Sequence, residues 1–253
     1  LKATIKEIKQ RLQEGQLTPE EFASLQSDQR EGVKKLLLSY ERIQQKDIDA
    51  QKRFREMGSL ERSLRSGGYT FIAGVDEAGR GPLAGPVVAG AVVLPEDFYY
   101  PELNDSKKMT AAAREHCYEY LLVHAYATGV GIMNSQQIDK LNIYEATRQA
   151  MVKAVQNMDT PLDYVLVDAM TLPMPYAQAS IIKGDQRSLS IAAGSVIAKV
   201  TRDRLMKRMA KTYPGYGFDV HMGYGTKQHV QALQANGPCE IHRKSFQPVK
   251  AVL

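Results

Sequence analysis

Residues Pro86 to Leu94 read Pro-Val-Val-Ala-Gly-Ala-Val-Val-Leu, a run without one polar side chain. A strand with one wet face would show a polar residue at every second position. A short run that is apolar throughout fits a strand covered on both faces, and so a sheet sandwiched between helices. Phe71-Ile72-Ala73-Gly74-Val75 is a second apolar strand just ahead of it. The loop between them is short, so the two are expected to pair antiparallel. A third strand is expected over 126–133, and buried strands at Tyr164–Val167 and Ala179–Ile182. Helices are expected over Ala111–His124, from a capping box at Asn142-Ile143-Tyr144-Glu145 to about Asn157, over Ile191–Lys211 and over Thr226–Asn236. This order argues an α/β domain with a mixed sheet and helices on its faces.

The first 66 residues are of another kind. They are rich in Lys, Arg, Glu and Gln, with Ile5, Ile8, Leu12, Phe22, Leu25, Val33, Leu36, Leu37, Tyr40 and Ile43 at helical spacing. Thr18-Pro19-Glu20-Glu21 reads as a helix start, with Thr18 as cap, Pro19 first and Glu21 closing a capping box. A long helix is expected from about Ser27 to Met57, and Ser63–Gly68 reads as a linker or domain boundary. The expected organisation is a small all-helical domain over 1–66 and an α/β domain over 67–253 with a C-terminal helical segment.

Composition excludes several classes. The chain has 253 residues, 43% hydrophobic and 24% charged, enough for a real core. Its two cysteines, Cys117 and Cys239, form no CxxC pair, which argues against a disulfide scaffold or a structural zinc and for the cytoplasm. No apolar run approaches the ~18–20 residues that span a bilayer, so no membrane partner is expected. Lys and Arg exceed Asp and Glu by 33 to 28, a weak pointer to a polyanion.

The chemistry lies where strands end. Val75 runs into Asp76-Glu77, Val167 into Asp168, and Ile182 to just before Asp185. If these ends meet, four carboxylates share a small volume, which is costly unless a divalent cation sits among them. Two such cations ~3.5–4 Å apart can run phosphodiester hydrolysis. Asp76 and Glu77 are strand neighbours, so a bulge or a strand end is needed for both to aim at one ion. The loop Gly79-Arg80-Gly81-Pro82-Leu83-Ala84-Gly85 misses the dinucleotide fingerprint spacing and leads to a strand, not a helix. Its glycines allow backbone amides to approach a sugar or phosphate closely.

Gly74-Val75-Asp76-Glu77-Ala78-Gly79-Arg80-Gly81-Pro82-Leu83-Ala84-Gly85-Pro86 resembles the first signature block of type II ribonuclease H. Leu103–Lys108, Val167-Asp168, Lys183-Gly184-Asp185, Ser190–Asp203 and Gly223-Tyr224-Gly225-Thr226 with His229 resemble its further blocks, in order. The resemblance implies a ribonuclease H-like fold and an endonuclease that cuts RNA in RNA/DNA hybrids and nicks 5′ of single ribonucleotides in duplex DNA, leaving 5′-phosphate and 3′-OH ends. It implies Asp76, Glu77, Asp168 and Asp185 as catalytic metal ligands for two Mg²⁺ or Mn²⁺ ions. It implies Gly79, Arg80 and Gly81 as readers of the ribose 2′-OH and Tyr224 as reader of the junction, with Lys107, Lys108, Ser190 and Lys199 as further substrate contacts. Gly194 departs from the family, which more often has Ala there. Ribonucleotide repair and primer removal follow as roles, in a monomer, with contact to a replication clamp left open. The rivals are type III ribonuclease H, against which Arg80 and Tyr224 argue, and a non-catalytic hybrid-binding module, against which the acids argue. Lys199, Arg202, Arg204, Lys207, Arg208 and Lys211 would suit a duplex backbone as a basic stripe, with Arg208 and Lys211 expected on a solvated face and Asp203 expected to orient Arg202 or another base. His221, His229 and His242 share no metal-ligand spacing and are expected to be structural.

Overall fold

The computed structural model describes residues 3–253. Its contacts divide the chain into two compact units, up to Arg53 and from Phe54 to Leu253. The first holds α1 (Ile5–Gln13), α2 (Pro19–Gln26) and most of α3 (Glu31–Met57). Ile8, Leu12, Val33 and Leu37 form its core. Thr4 with Glu7 and Thr18 with Glu21 make complete capping boxes, and Pro19 occupies the first turn of α2, as its sequence predicts. The division falls inside α3, ahead of residue 66, because α4 (Ser59–Ser66) packs Leu60 and Leu64 on Ile72, Leu166 and Ile191. The Ser63–Gly68 stretch is therefore helical as far as Ser66 rather than a linker.

The second unit is built on β1 (Ile72–Ala78), β2 (Val87–Val93), β3 (Ala127–Met133), β4 (Tyr164–Asp168) and β5 (Ala177–Ile181). The sheet order is β3-β2-β1-β4-β5. β1 pairs antiparallel with β2, and β2 with β3, while β1–β4 and β4–β5 are parallel. The helices are α5 (Ala111–His124), α6 (Ser135–Leu141), α7 (Ile143–Gln156), α8 (Leu189–Thr212), α9 (Phe218–His221) and α10 (Lys227–Asn236). α7 covers one face, with Ala146, Ala150, Met151 and Ala154 in one core with Ala73, Val75, Ala89, Ala91 and Val93. α8 covers the other, packing Ala192, Ala193, Val196 and Ile197 with Val92. Both faces of β2 are thus dry, as its unbroken apolar run requires.

Two local expectations are corrected. β5 is a half-exposed edge strand that ends at Ile181, and Ile182 is exposed. Asn142 caps α7 by accepting from the Glu145 amide, but the Glu145 carboxylate turns to Arg148 and Gln149, so the box is only half made.

Candidate active site

β1 and β4 pair only as far as Val75 and Val167. Past that point they part, and their next residues are Asp76 and Asp168. The ladder from β1 to β2 runs on unbroken through Asp76, Glu77 and Ala78, so there is no bulge. What ends here is the ladder to β4. One carboxylate oxygen from each of Asp76, Glu77 and Asp168 comes within 4.8 Å of the others.

Asp185 lies beside this group, in the tight turn Gly184–Gln186. The Gly184 amide donates to Asp168 Oδ1 at 2.7 Å, which ties that turn to the end of β4. Lys107 Nζ stands 3.6 Å from Asp185 Oδ2. A fifth acid, Asp105, is buried here too, with its Oδ1 accepting from the Lys107 amide and its Oδ2 from Gln186 Nε2. Sequence reasoning passed over Asp105 because it follows no strand. Its place in the Leu103–Lys108 block was the available signal.

Burial first, then Glu77 and Asp168, push the Asp76 carboxyl well above the ordinary range. Burial raises Glu77 against the pull of Arg80. Burial raises Asp185 as well, helped by Asp105 and opposed by Lys107. Burial pulls Lys107 down, but Asp76, Asp185, Asp105 and Glu77 hold it above its usual value. Oxygen-only donors that repel one another in a partly buried site match a hard divalent cation.

The glycine loop borders these acids. Gly79 has φ +96, and a Cβ there would lie 2.0 Å from Arg202 Nε, so only glycine fits. Arg80 is exposed, its Nη1 3.5 Å from Glu77 Oε1. Gly81 faces Tyr224: a Cβ on it would meet Tyr224 Cε1 at 4.0 Å. Tyr224 is exposed, with Lys199 Nζ 5.9 Å from its ring centre. Lys107 and Lys108 are both exposed, Lys107 beside Asp185. Ser190 stands apart from this surface: it is 1% exposed and its amide donates to Glu61 Oε1 at 2.9 Å.

The basic stripe on α8 is broken. Arg202 is fully buried, and the base that Asp203 orients is Lys199, at 2.7 Å. Arg204 is held by Glu115 and Glu119. The histidines form a packed cluster. His229 Nε2 lies 3.1 Å from His242 Nε2, and His221 stacks on His229.

Residues 73–249 match the family model described as Ribonuclease HII. The chain belongs to the ribonuclease HII family. Residues 4–65 match the model of the Ribonuclease HII N-terminal domain. A ribonuclease HII of Bacillus thuringiensis (strain Al Hakam) is 52% identical over 253 residues, covering 100% of this chain and 98% of that one. The ribonuclease H2 of Pyrococcus horikoshii OT3 superposes with a TM-score of 0.62 at 25% identity, over 72% of this chain and 96% of that one. Bst-RNase HIII in complex with Mn²⁺ shares the fold, with a TM-score of 0.53 at 17% identity over 72% of this chain and 69% of its own. As a ribonuclease HII, the chain is a hydrolase, an endonuclease acting on the RNA strand of RNA/DNA hybrids. No helix among the described residues is long and apolar enough to cross a membrane.

Proposed function

We propose that this ribonuclease HII nicks duplex DNA on the 5′ side of single embedded ribonucleotides, as well as cutting longer hybrids, in ribonucleotide repair and primer removal. One observation carries the reading: three carboxylates within 4.8 Å of one another border a glycine loop that faces Tyr224. Acids for hydrolysis and a surface for reading one sugar are thus adjacent. The 2′-OH is what distinguishes a ribonucleotide from its neighbours.

Asp76, Glu77, Asp168 and Asp185 are the proposed metal ligands. Bound Mg²⁺ or Mn²⁺, two ions with substrate present, supplies an activated water and stabilises the departing 3′ oxygen. Lys107 offsets the charge of Asp185 and lies where a phosphate could take its other side. Gly79, Arg80 and Gly81 offer main-chain groups to the ribose, and the Tyr224 ring offers its face to the adjoining sugar. Lys107, Lys108 and Lys199 are the proposed phosphate contacts. Ser190 is not proposed as a substrate contact, since it is buried and its amide is taken by Glu61. The proposed working form is a monomer in the cytoplasm, in keeping with two cysteines that are both free.

The test is cleavage of a DNA duplex with one ribonucleotide, with Mg²⁺, Mn²⁺ or EDTA. The expected product is a nick 5′ of the ribonucleotide with 3′-OH and 5′-phosphate ends, abolished by EDTA. An uncut duplex in both metals, or a nick that survives chelation, would overturn the reading.

A further inference from the structure

Two arginines lie behind the glycine loop with no exposed surface, and neither forms an ion pair among the described residues. Arg202, from α8, donates through Nε to the Pro86 carbonyl at 2.9 Å, through Nη2 to Ala84 at 3.2 Å and through Nη1 to Met222 at 2.9 Å. Arg243, from the C-terminal stretch, donates through Nε to Gly85 at 3.0 Å, through Nη1 to Arg80 at 2.8 Å and through Nη2 to Gly79 at 2.6 Å. Burying a charge is expensive unless polar groups surround it. Here carbonyls do so, and all but that of Met222 belong to the segment Gly79–Pro86. Burial lowers Arg202 to about 10 and Arg243 to about 9, so both stay cationic at neutral pH.

These bonds set the direction of the loop's peptides. In a trans peptide the carbonyl and the following amide point opposite ways. Arg243 holds the Gly79 and Arg80 carbonyls inward, so the amides of Arg80 and Gly81 point outward. Both residues are exposed, and neither amide donates a hydrogen bond among the described residues. Arg202 also grips Met222, and the Leu83 amide donates to the Gly223 carbonyl at 2.8 Å. The Tyr224 turn and the glycine loop are therefore fastened to each other from behind.

We propose that Arg202 and Arg243 are positioning residues for ribose recognition, holding the Arg80 and Gly81 amides outward as donors and fixing the spacing between that loop and Tyr224. The proposal rests on the single-ribonucleotide reading above. It assigns discrimination to two side chains that never touch the substrate. Their buried charge also favours an anionic backbone over this loop.

The test compares Arg202→Lys and Arg243→Lys with the wild type for affinity to a duplex holding one ribonucleotide and to its all-DNA counterpart, both in EDTA. Lysine keeps the charge but cannot fork to three carbonyls. Each variant should lose about tenfold of the ribonucleotide preference while its all-DNA affinity stays within about twofold. A preference left intact, or an equal loss on both duplexes, would overturn the proposal. A measurement on the wild type removes any dependence on how the variants fold. The amide resonances of Arg80 and Gly81 should shift with the ribonucleotide duplex and not with all-DNA, and a failure to do so counts against the proposal equally. A wild type without ribonucleotide preference would sink the functional reading and this inference together. A discriminating wild type with equally discriminating variants would sink the inference alone.

Discussion

Asp76 is 3% exposed and faces Glu77 and Asp168, so ionising it without a cation is costly. An acid whose folded value is raised contributes its full stability below its ordinary range, near 3.8 to 4.5 here. That contribution is lost as pH climbs through the raised value. Metal-free protein should therefore melt lower as pH rises away from that range. Asp76→Asn should flatten this decline, gain about 0.5–2 kcal/mol in EDTA at neutral pH, and lose cleavage. Thermal melts across pH decide it, and superimposable curves for variant and wild type would refute it. The histidine pair works in the opposite sense. The Tyr224 carbonyl can only accept from His229 Nδ1, and the Cys239 amide donates to His242 Nδ1. This leaves His242 Nε2–H to donate to His229 Nε2. Protonating either ring breaks a bond. Burial, then His229, lowers His242 to about 4, so its share of stability is whole above 6.5 and is lost as pH falls toward 4. Urea midpoints should drop across that window, and less steeply in His242→Asn; equal slopes would show that His242 does not titrate there.

At the scale of elements, α8 decides how close the site's parts come. Glu61 Oε1 accepts from the Ser188 hydroxyl at 2.6 Å and the Ser190 amide at 2.9 Å, placing a carboxylate at the positive end of this long helix. One turn on, Gly194 lies against the sheet. A Cβ there would meet the Gly90 carbonyl oxygen at 2.9 Å, that of Gly74 at 3.0 Å and the Asp76 amide nitrogen at 3.3 Å. Every neighbour is backbone, so the strain has no flexible side chain to relax into. Gly194→Ala should cost about 1–3 kcal/mol, read as a lower denaturation midpoint. An unchanged midpoint would show that β1 and β2 can yield here. The same helix scatters its charge. Residues two apart point to opposite sides of a helix, so Arg204 turns to Glu115 and Glu119 while Arg202 is buried, and Lys199 is taken up by Asp203 one turn on.

Across the whole molecule, the proposed duplex contacts are Lys107 beside Asp185, the exposed Lys108 next to it in sequence, Lys199 near Tyr224 and Arg80 on the loop. Affinity for a hybrid should fall as salt rises, and Lys108→Ala should reduce the log–log slope by about 0.9. A slope identical to the wild type's would take Lys108 out of the interface. By itself, the order of residues determined the strands, the helix starts and the acids that follow β1 and β4, because hydrophobic period, capping and turn chemistry act over a few neighbours. It also pointed to the glycine loop, whose Gly79 answers to φ +96. Only the tertiary structure decided that Arg202 and Arg243 face inward, that Asp105 joins Asp185, that the histidines stack, and that α4 packs with the sheet. Those outcomes depend on which distant segments share a desolvated volume, and a charged side chain's partner there is set by contacts more than a hundred residues apart, as Arg243 and Gly79 show.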